Sequence, residues 1–352
     1  KSLVRIMPIS GLILLEMIMH RTRGSTEPLI PLAKGKPLKS SPRMKVLTAV
    51  MFAASSFVVT LANKSILTTY HFPSFKAMAL IQILTTVLVL YALKKLGFVE
   101  FSDLKWGTFD QLFPLPLVHV GGMLLSLSGT KELSIPMNTT IRRFAVMTTM
   151  ILEYYVLSVR PPRSVQLSVM VMVLGAVVAM TEPSPNVFGY TCVLISDAFS
   201  SYGCVFTKDI LQRDTSMNKY GLLFFNSLFV LPLMLLLACI DDDLVLAYNF
   251  PMWHDSFFSL MFVVASTLGA LLSFTAMLCT LHNSALTTTI VACLKNALVT
   301  YVGMYWGQDY LFSWQNFIGI NISILGSLFY TYVVFGAIKE APIEINRLLR
   351  SS

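Results

Sequence analysis

Four basic residues lie within or just beyond the end of long apolar stretches of this sequence, and their position needs an explanation. They are Lys64, Arg142, Arg143 and Lys295. An ionised side chain in the middle of a membrane costs about 2.5–3.5 kcal/mol on insertion scales, so such a residue normally marks a binding site or a pathway. Arginine binds phosphate through two parallel N–H groups, and lysine binds it as a point charge. The four cations therefore predict a site for a phosphorylated ligand.

Two acidic residues, Glu153 and Asp197, lie in the same kind of stretch and offset part of the charge. One alternative is that Lys64 extends its long side chain to the membrane surface. In that alternative, one arginine also pairs with Glu153 or Asp197. A positive surplus still remains, and a bound phosphate dianion would neutralise it.

A nucleotide ligand would also need groups that bind its base. Phe225 follows another phenylalanine and precedes Asn226, so adjacent rings and an amide occur together. Tyr301 lies within two helical turns of Lys295. The alternative is that the phenylalanine rings face lipid or the protein core. Asn226 is harder to explain in that way, because an unsatisfied amide in an apolar stretch is costly.

The composition excludes an ordinary soluble domain. Of the 352 residues, 55% are hydrophobic and only 12% are charged, and the mean hydropathy is +0.70. About a quarter of the residues in a soluble domain carry charge. The net charge of +8 does not indicate nucleic acid, because the basic residues lie mainly between apolar runs and not on a wet face. No cysteine or histidine cluster has metal-ligand spacing, so no metal or cofactor is predicted.

Ten apolar stretches have membrane-spanning length and predict ten spans in the lipid bilayer. They are Val46–Leu61, Phe75–Leu93, Leu112–Gly129, Ile135–Leu157, Val165–Met180, Val187–Phe206, Leu222–Ile240, Phe257–Thr280, Ala285–Tyr305 and Phe312–Phe335. Two halves of five spans have opposite orientations, as in the inverted repeats of many transporters. A short echo supports this division: Asn138-Thr139-Thr140-Ile141 opens the fourth span and Thr287-Thr288-Thr289-Ile290 opens the ninth.

The loop charges predict the orientation of the chain. If the N-terminus is cytosolic, the luminal loops hold only two basic residues, Lys76 and Lys131, and the cytosolic segments from residue 34 onward hold the rest of the loop lysines and arginines. This asymmetry places both termini in the cytosol. Arg142 then lies about 10 Å inside its span and Lys295 about 15 Å inside its own, from opposite faces. We expect the two cations to meet near the middle of the bilayer.

Several segments form one recognisable set. The longest is Asn283-Ser284-Ala285-Leu286-Thr287-Thr288-Thr289-Ile290-Val291, which continues in Leu294-Lys295-Asn296. Others are Ala62-Asn63-Lys64-Ser65, Ile141-Arg142-Arg143-Phe144 and Lys219-Tyr220-Gly221-Leu222. On these segments, the chain between about residues 45 and 335 resembles the nucleotide-sugar transporter family of the drug/metabolite transporter superfamily. It resembles in particular the branch that carries UDP-glucuronic acid, UDP-N-acetylgalactosamine and UDP-N-acetylglucosamine.

The resemblance implies an all-α membrane protein with the drug/metabolite transporter fold, in which ten transmembrane helices form two inverted five-helix repeats. It also implies an antiporter that brings a UDP-sugar into the Golgi or ER lumen in exchange for UMP. The family segments that recognise the nucleotide correspond to residues 224–227 and 292–296, where this chain looks more like a UDP-sugar than a GDP-sugar carrier. Residues 122, 138, 196 and 292 differ from those usual in the branch, so the sugar stays open. The candidate substrate-binding residues are Asn63, Lys64, Arg142, Arg143, Phe225, Asn226, Thr288, Lys295, Asn296 and Tyr301.

The remaining expectations concern domains, location and assembly. We expect residues 1–44 to be a disordered cytosolic segment, residues 45–338 the transporter domain with halves at about 45–182 and 187–338, and residues 339–352 a cytosolic tail. The tail carries no retrieval signal, which favours the Golgi membrane over the ER membrane. Gly319, Ser323 and Ser327 form a small-residue ridge that would pack either within the chain or against a second copy in a homodimer.

Two other functions stay open at this point. A membrane-embedded transferase would need a catalytic cluster, but the five histidines are scattered and no acidic cluster has metal spacing. A carrier of another nucleotide-sugar or of a phosphorylated metabolite would share the cations. A carrier of a sugar phosphate would not need base recognition.

Overall fold

The chain folds into a set of packed α-helices. The computed structural model describes residues 40–103, 106–133, 135–180, 187–213, 217–306 and 314–336, and no β-strand occurs in these ranges. The helices are α1 (Pro42–Lys64), α2 (Phe75–Lys95), α3 (Trp106–Leu112), α4 (Pro114–Glu132), α5 (Ile135–Ile141), α6 (Phe144–Leu157), α7 (Arg163–Ala179), α8 (Val187–Arg213), α9 (Lys219–Ile240), α10 (Asp243–Tyr248), α11 (Ser256–His282), α12 (Ala285–Trp306) and α13 (Trp314–Thr331). Short π-helical turns, Ser65–Thr69 and Tyr332–Gly336, continue α1 and α13.

Capping residues explain where several helices begin. The Ser74 hydroxyl oxygen accepts a hydrogen bond from the Ala77 amide at 3.0 Å, which satisfies a free N–H at the start of α2. The Asn218 side chain does the same for Gly221 at 2.8 Å in α9. Pro42 opens α1, where a missing amide costs no hydrogen bond. Since helices satisfy their own backbone groups, this architecture suits apolar stretches that lie in lipid.

A helix lies over each of the ten apolar stretches that the sequence predicts. By length and hydropathy alone, five helical segments in the described ranges qualify as membrane spans: Pro42–Thr69, Phe75–Lys95, Lys219–Ile240, Ser256–His282 and Trp314–Gly336. Arg163–Ala179 and Ala285–Tyr301 are apolar but shorter. The all-α fold class is therefore confirmed. Of the two predicted terminal segments, residues 1–39 and 337–352 lie outside the described residues, and α1 already begins at Pro42.

A few helix pairs make most of the contacts. α7 packs along α13, α4 along α8, and α11 along α1; α8 also packs against α6, and α9 against α2. α12 lies between α1 and α6 and contacts both. These contacts place α12, α6 and α8 around a common centre, where three of the four predicted cations lie: Arg142, Arg143 and Lys295.

The small-residue ridge on α13 packs within the chain. A β-carbon added to Gly319 would lie 2.5 Å from the Ala179 nitrogen and 2.5 Å from the Gly175 carbonyl oxygen, both on α7. The Ser323 hydroxyl donates to the Met172 carbonyl of α7 at 2.6 Å. The ridge is therefore used for close helix packing, in the way that small residues serve in membranes. Of the two predicted uses of this ridge, the structure shows packing within the chain.

Candidate functional site

The fourth predicted span is not one helix, because the chain turns at Arg142 and Arg143 between α5 and α6. The Arg143 amide bonds to the Thr140 carbonyl at 3.2 Å, and the Val146 amide bonds to the Arg143 carbonyl at 3.2 Å. Both bonds connect residues three apart, which is tighter than an α-helix. The prediction of a continuous helix over 135–157 is wrong at this point. The turn sends two consecutive arginines to different neighbours.

Arg142 reaches across to α4 and α8. Its guanidinium donates a hydrogen bond to the Ser126 hydroxyl, and its Nε donates to the Asn138 amide oxygen at 3.3 Å. Asp197 on α8 is near enough to attract it electrostatically, yet the two do not form an ion pair within 4.0 Å. Asp197 is 3% exposed, and no hydrogen bond reaches its Oδ2 in the described structure. A buried carboxylate oxygen without a partner is costly and unusual.

Lys295 approaches the same place from α12. Its Nζ donates to the Thr60 hydroxyl of α1 at 3.1 Å, and it lies close enough to Arg142 for the two charges to repel. Cys293, two residues earlier on α12, lies within electrostatic range of Arg142, Arg143, Lys295 and Asp197 together. We call these four charged residues the cation cluster. It contains three cations and one carboxylate, so it carries a surplus of two positive charges.

Arg143 lies on the far side of this cluster. It is 4% exposed, and its guanidinium donates to the Gly319 carbonyl of α13 at 3.4 Å. It also lines a small cavity between α7, α12 and α13 with Met172 and Cys293. The geometry therefore gives Arg142 and Arg143 different roles: Arg142 faces α4 and α8, whereas Arg143 contacts the α13 backbone.

Glu153 does not pair with an arginine, as it would in the alternative in which acids neutralise the arginines. Glu153 accepts a hydrogen bond from the Leu286 amide at 3.0 Å, at the start of α12, and the four ion pairs found among the described residues do not include it. Lys64, at the end of α1, is exposed, and its side chain makes no hydrogen bond or ion pair in the described structure. Its exposure is compatible with the alternative in which its side chain extends to the membrane surface. Asn63 beside it accepts a hydrogen bond from Gln82 at 2.9 Å.

The residues predicted to bind the base occupy different environments. Phe225 is 2% exposed and packs edge-on against Phe101, with ring centroids 6.1 Å apart. It belongs to the core in this structure and leaves no open ring face for stacking. Asn226 is half-buried, and its Oδ1 is buried without a hydrogen-bond partner in the described residues. Tyr301 is half-buried and contacts Phe317 edge-on at 6.3 Å.

Thr288 and Asn296 lie on α12 on either side of the cation cluster. Thr288 is 6% exposed, and its hydroxyl is 3.1 Å from that of Thr280 on α11, so it contributes to helix packing. Asn296 is half-buried and adjoins Lys295. The structure therefore brings Arg142 and Lys295 together, as the sequence predicts, but leaves Thr288 about two turns away along the helix.

Three residues that contact or belong to the cation cluster were not among the predicted substrate-binding residues. Thr60 and Ser126 each bind one of the cations, and Asp197 supplies the carboxylate. Asp197 carried a signal, because an acid in an apolar stretch is rare. Thr60 and Ser126 carried none, since isolated hydroxyl residues are common in membrane helices and usually bond to their own backbone.

Comparison with known proteins now defines the class. A family model, the Triose-phosphate Transporter family, matches residues 43–331, and the chain belongs to this family of the drug/metabolite transporter superfamily. It is thus a multi-pass membrane transport protein. One solved crystal structure superposes with a TM-score of 0.60 at 11% identity, over 82% of this chain and 99% of that one, which shows a shared fold alone.

The names of similar proteins describe a narrower class of cargo than the family name does. The UDP-sugar transporter UST74c of Drosophila melanogaster is 47% identical over 306 residues, covering 86% of this chain and 81% of that protein. The UDP-sugar transporter sqv-7 of Caenorhabditis elegans is 39% identical, covering 86% and 93%. The nucleotide sugar transporter SLC35D2 of Mus musculus is 37% identical, covering 83% and 90%. The chain thus resembles proteins that carry nucleotide-sugars.

Proposed function

We propose that this protein is an antiporter that moves a UDP-sugar from the cytosol into the lumen of the Golgi, or of the ER as second choice, and returns UMP. The observation that carries the proposal is the cation cluster, with its surplus of two positive charges between α6, α8 and α12. Relatives that are UDP-sugar transporters by name support the cargo. UDP-glucuronic acid, UDP-N-acetylgalactosamine and UDP-N-acetylglucosamine are the candidates.

In this proposal Arg142 and Lys295 bind the phosphates that UDP-sugar and UMP share. Arg142 already has a fixed direction, because Ser126 and Asn138 accept its hydrogen bonds. Lys295 is held by one neutral hydroxyl, that of Thr60, and therefore keeps donors for a ligand. Asn226, with its free buried oxygen, and Tyr301 would bind the uridine. Phe225 has no part in this proposal, because its ring is packed.

Exchange follows from the charge of the empty site. Burying unpaired cations costs several kcal/mol per ion, so an empty carrier would cross between its two states slowly. UDP-sugar and UMP both bring phosphate oxygens that remove this cost. We therefore expect each direction of transport to need a bound ligand, which is the behaviour of an antiporter.

The helix contacts support the two-repeat arrangement of ten spans. If each span is replaced by the span five places along the chain, the pair α4–α8 becomes α11–α1, and the pair α6–α8 becomes α12–α1. All four of these helix pairs are in contact. The pairs α7–α13 and α2–α9 map onto themselves under the same shift. A pseudo-two-fold axis in the membrane plane would produce these exchanges. We propose this arrangement with both termini in the cytosol.

A transporter releases its cargo unchanged, whereas a transferase would consume it. Among the described residues no group of three or more His, Cys, Asp or Glu could hold a metal ion. The name of the matching family favours one alternative cargo, a sugar phosphate, because it refers to triose phosphates. A GDP-sugar is the other alternative.

The test is uptake of labelled UDP-sugars into proteoliposomes that are empty or loaded with UMP. We expect luminal UMP to stimulate uptake of at least one UDP-sugar, which is recovered intact. Thermal stabilisation by UMP, GMP, CMP, AMP and triose phosphate gives a second readout. Stabilisation by GMP or triose phosphate without UMP would replace the proposed cargo, and uptake that does not depend on internal nucleotide would contradict the exchange.

A further inference from the structure

Lys208 connects the last part of α8 to the turn between α11 and α12. Its Nζ donates hydrogen bonds to the carbonyl oxygens of Thr280 at 2.8 Å, Leu281 at 2.7 Å and Asn283 at 2.7 Å. Carbonyls at the end of a helix lack partners within the helix and carry its negative dipole. Lys208 is 8% exposed, so this buried cation is satisfied by the backbone of another helix.

Glu153 holds the same turn from the other side. Its Oε1 accepts the hydrogen bond of the Leu286 amide at 3.0 Å, in the first turn of α12, and it is 5% exposed. A carboxylate at a helix N-terminus is favoured by the dipole, as a lysine is at a C-terminus. Lys208 and Glu153 are also within electrostatic range of each other. We call these two residues and the turn at residues 280–286 the cytosolic latch.

The segment around Lys208 has a counterpart at the end of α1. Lys208-Asp209-Ile210-Leu211 corresponds to Lys64-Ser65-Ile66-Leu67. The two lysines also stand at the same distance from the ends of their helical segments, which are Arg213 and Thr69. In the proposed span order α1 and α8 are the first and sixth spans. Lys64 therefore holds the position of Lys208 in the other repeat, at the luminal face.

The two positions differ in this structure. Lys64 is exposed, and its ammonium group makes no hydrogen bond or ion pair in the part of the chain that the structure describes. α8 packs against α11 and α12 near Lys208, whereas α1 makes no comparable contact with α4, α5 or α6 in that same part. The cytosolic end is therefore closed by contacts whose repeat-related equivalents at the luminal end are not made.

We propose that Lys208 and Lys64 close the two ends of the transporter in turn. In the state described here Lys208 closes the cytosolic end. In the opposite state Lys64 donates to the carbonyls at the C-terminal end of α4, and Lys208 leaves the turn at 280–286. The proposal rests on the inverted repeats and the orientation under the proposed function. α12 contains no acidic residue, so the luminal closure lacks a counterpart of Glu153 and the empty protein rests with its luminal end open.

Cys204 provides a reporter under the cytosolic latch. Its sulfur lies 3.6 Å from the Thr280 hydroxyl and 3.8 Å from the Ala285 carbonyl oxygen. With the other four cysteines replaced by alanine, the rate of Cys204 alkylation by a membrane-impermeant maleimide is measured from the cytosolic face of sealed vesicles. No ligand is added. The rate then reports how often the cytosolic end opens.

The two lysines should act in opposite directions. Lys208→Ala and Glu153→Gln are expected to raise the alkylation rate about tenfold, as a loss of about 1.4 kcal/mol of closure would. Lys64→Ala is expected to lower it, and the double variant of both lysines should fall between the single ones. Lys95→Ala, at an exposed lysine at the end of α2, is the matched control and should leave the rate unchanged.

A rate that does not change in Lys208→Ala, or one that rises in Lys64→Ala, would overturn the proposal. If size-exclusion chromatography shows that Lys208→Ala does not fold, Glu153→Gln and Lys64→Ala still test the proposal, because both leave Lys208 in place. The readout needs no substrate. If the alkylation rate shifts in opposite directions in the two lysine variants but UMP does not drive uptake, the closure proposal stands and the proposed cargo is wrong. If UMP drives uptake but the rates do not shift in opposite directions, the proposed cargo stands and the closure proposal is wrong.

Discussion

Replacing Lys295 by alanine tests whether the cation cluster binds phosphate. In the described structure the hydrogen-bond partner of Lys295 Nζ is a neutral hydroxyl, that of Thr60 at 3.1 Å. Under the proposed function the lysine therefore contributes its charge to ligand binding and little to the fold. A hydrogen bond to a charged group contributes about 1.5–3 kcal/mol. Its loss should weaken UMP and UDP-sugar binding by about 10- to 150-fold.

The same substitution should leave the empty protein as stable as before, or more stable. Lys295 and Arg142 repel each other, so removing Lys295 relieves an unfavourable interaction. This combination of weaker binding with undiminished stability distinguishes a ligand-binding lysine from a structural one.

The assay has two parts. The melting temperature of the detergent-solubilised protein is measured without ligand and across a UMP titration, and UMP-driven uptake of UDP-sugar is measured in proteoliposomes. Lys95→Ala removes a lysine that is exposed at the end of α2 and serves as the matched control. Two results would refute the reasoning: unchanged UMP affinity in Lys295→Ala, or a large loss of stability in its empty form.

Three further substitutions test the surroundings of the cluster and the helix packing. Ser126→Ala removes an acceptor that orients Arg142. Because a hydrogen bond contributes about 1 kcal/mol, UMP binding should weaken about fivefold in a thermal-shift titration. Unchanged affinity would mean that Ser126 does not orient Arg142. Asp197→Asn removes the carboxylate of the cluster, so UMP should bind more tightly and exchange more slowly; weaker binding would instead mean that the carboxylate itself contacts the ligand. Gly319→Leu places side-chain atoms against the α7 backbone, where an added β-carbon already lies at 2.5 Å, and should destabilise the protein by about 1–3 kcal/mol or more. Its melting temperature should fall well below that of Leu328→Ala, a change at an exposed position of the same helix.

The helix positions were predictable because a membrane segment must be apolar over a fixed length. The same rule predicted the importance of Arg142 and Lys295, since a charge in such a stretch is rare and needs a reason. The structure brings these two within electrostatic range, as their depths in opposite spans predicted. Phe225 was not predictable in this way, because an apolar ring in an apolar stretch reads the same whether it binds a base or packs in the core.

The sequence by itself determined the all-helical class, the approximate ends of the helices and the excess of buried positive charge, all of which depend on composition and local order. Only the tertiary structure decided which partner each charge has. Thr60 and Lys295 are 235 positions apart, and Lys208 and Asn283 are 75 apart. The turn at Arg142 also separates two adjacent arginines that look equivalent in the sequence. Hydrogen bonds and charge interactions act over a few ångströms, so they depend on which helices the packing brings together and not on distance along the chain.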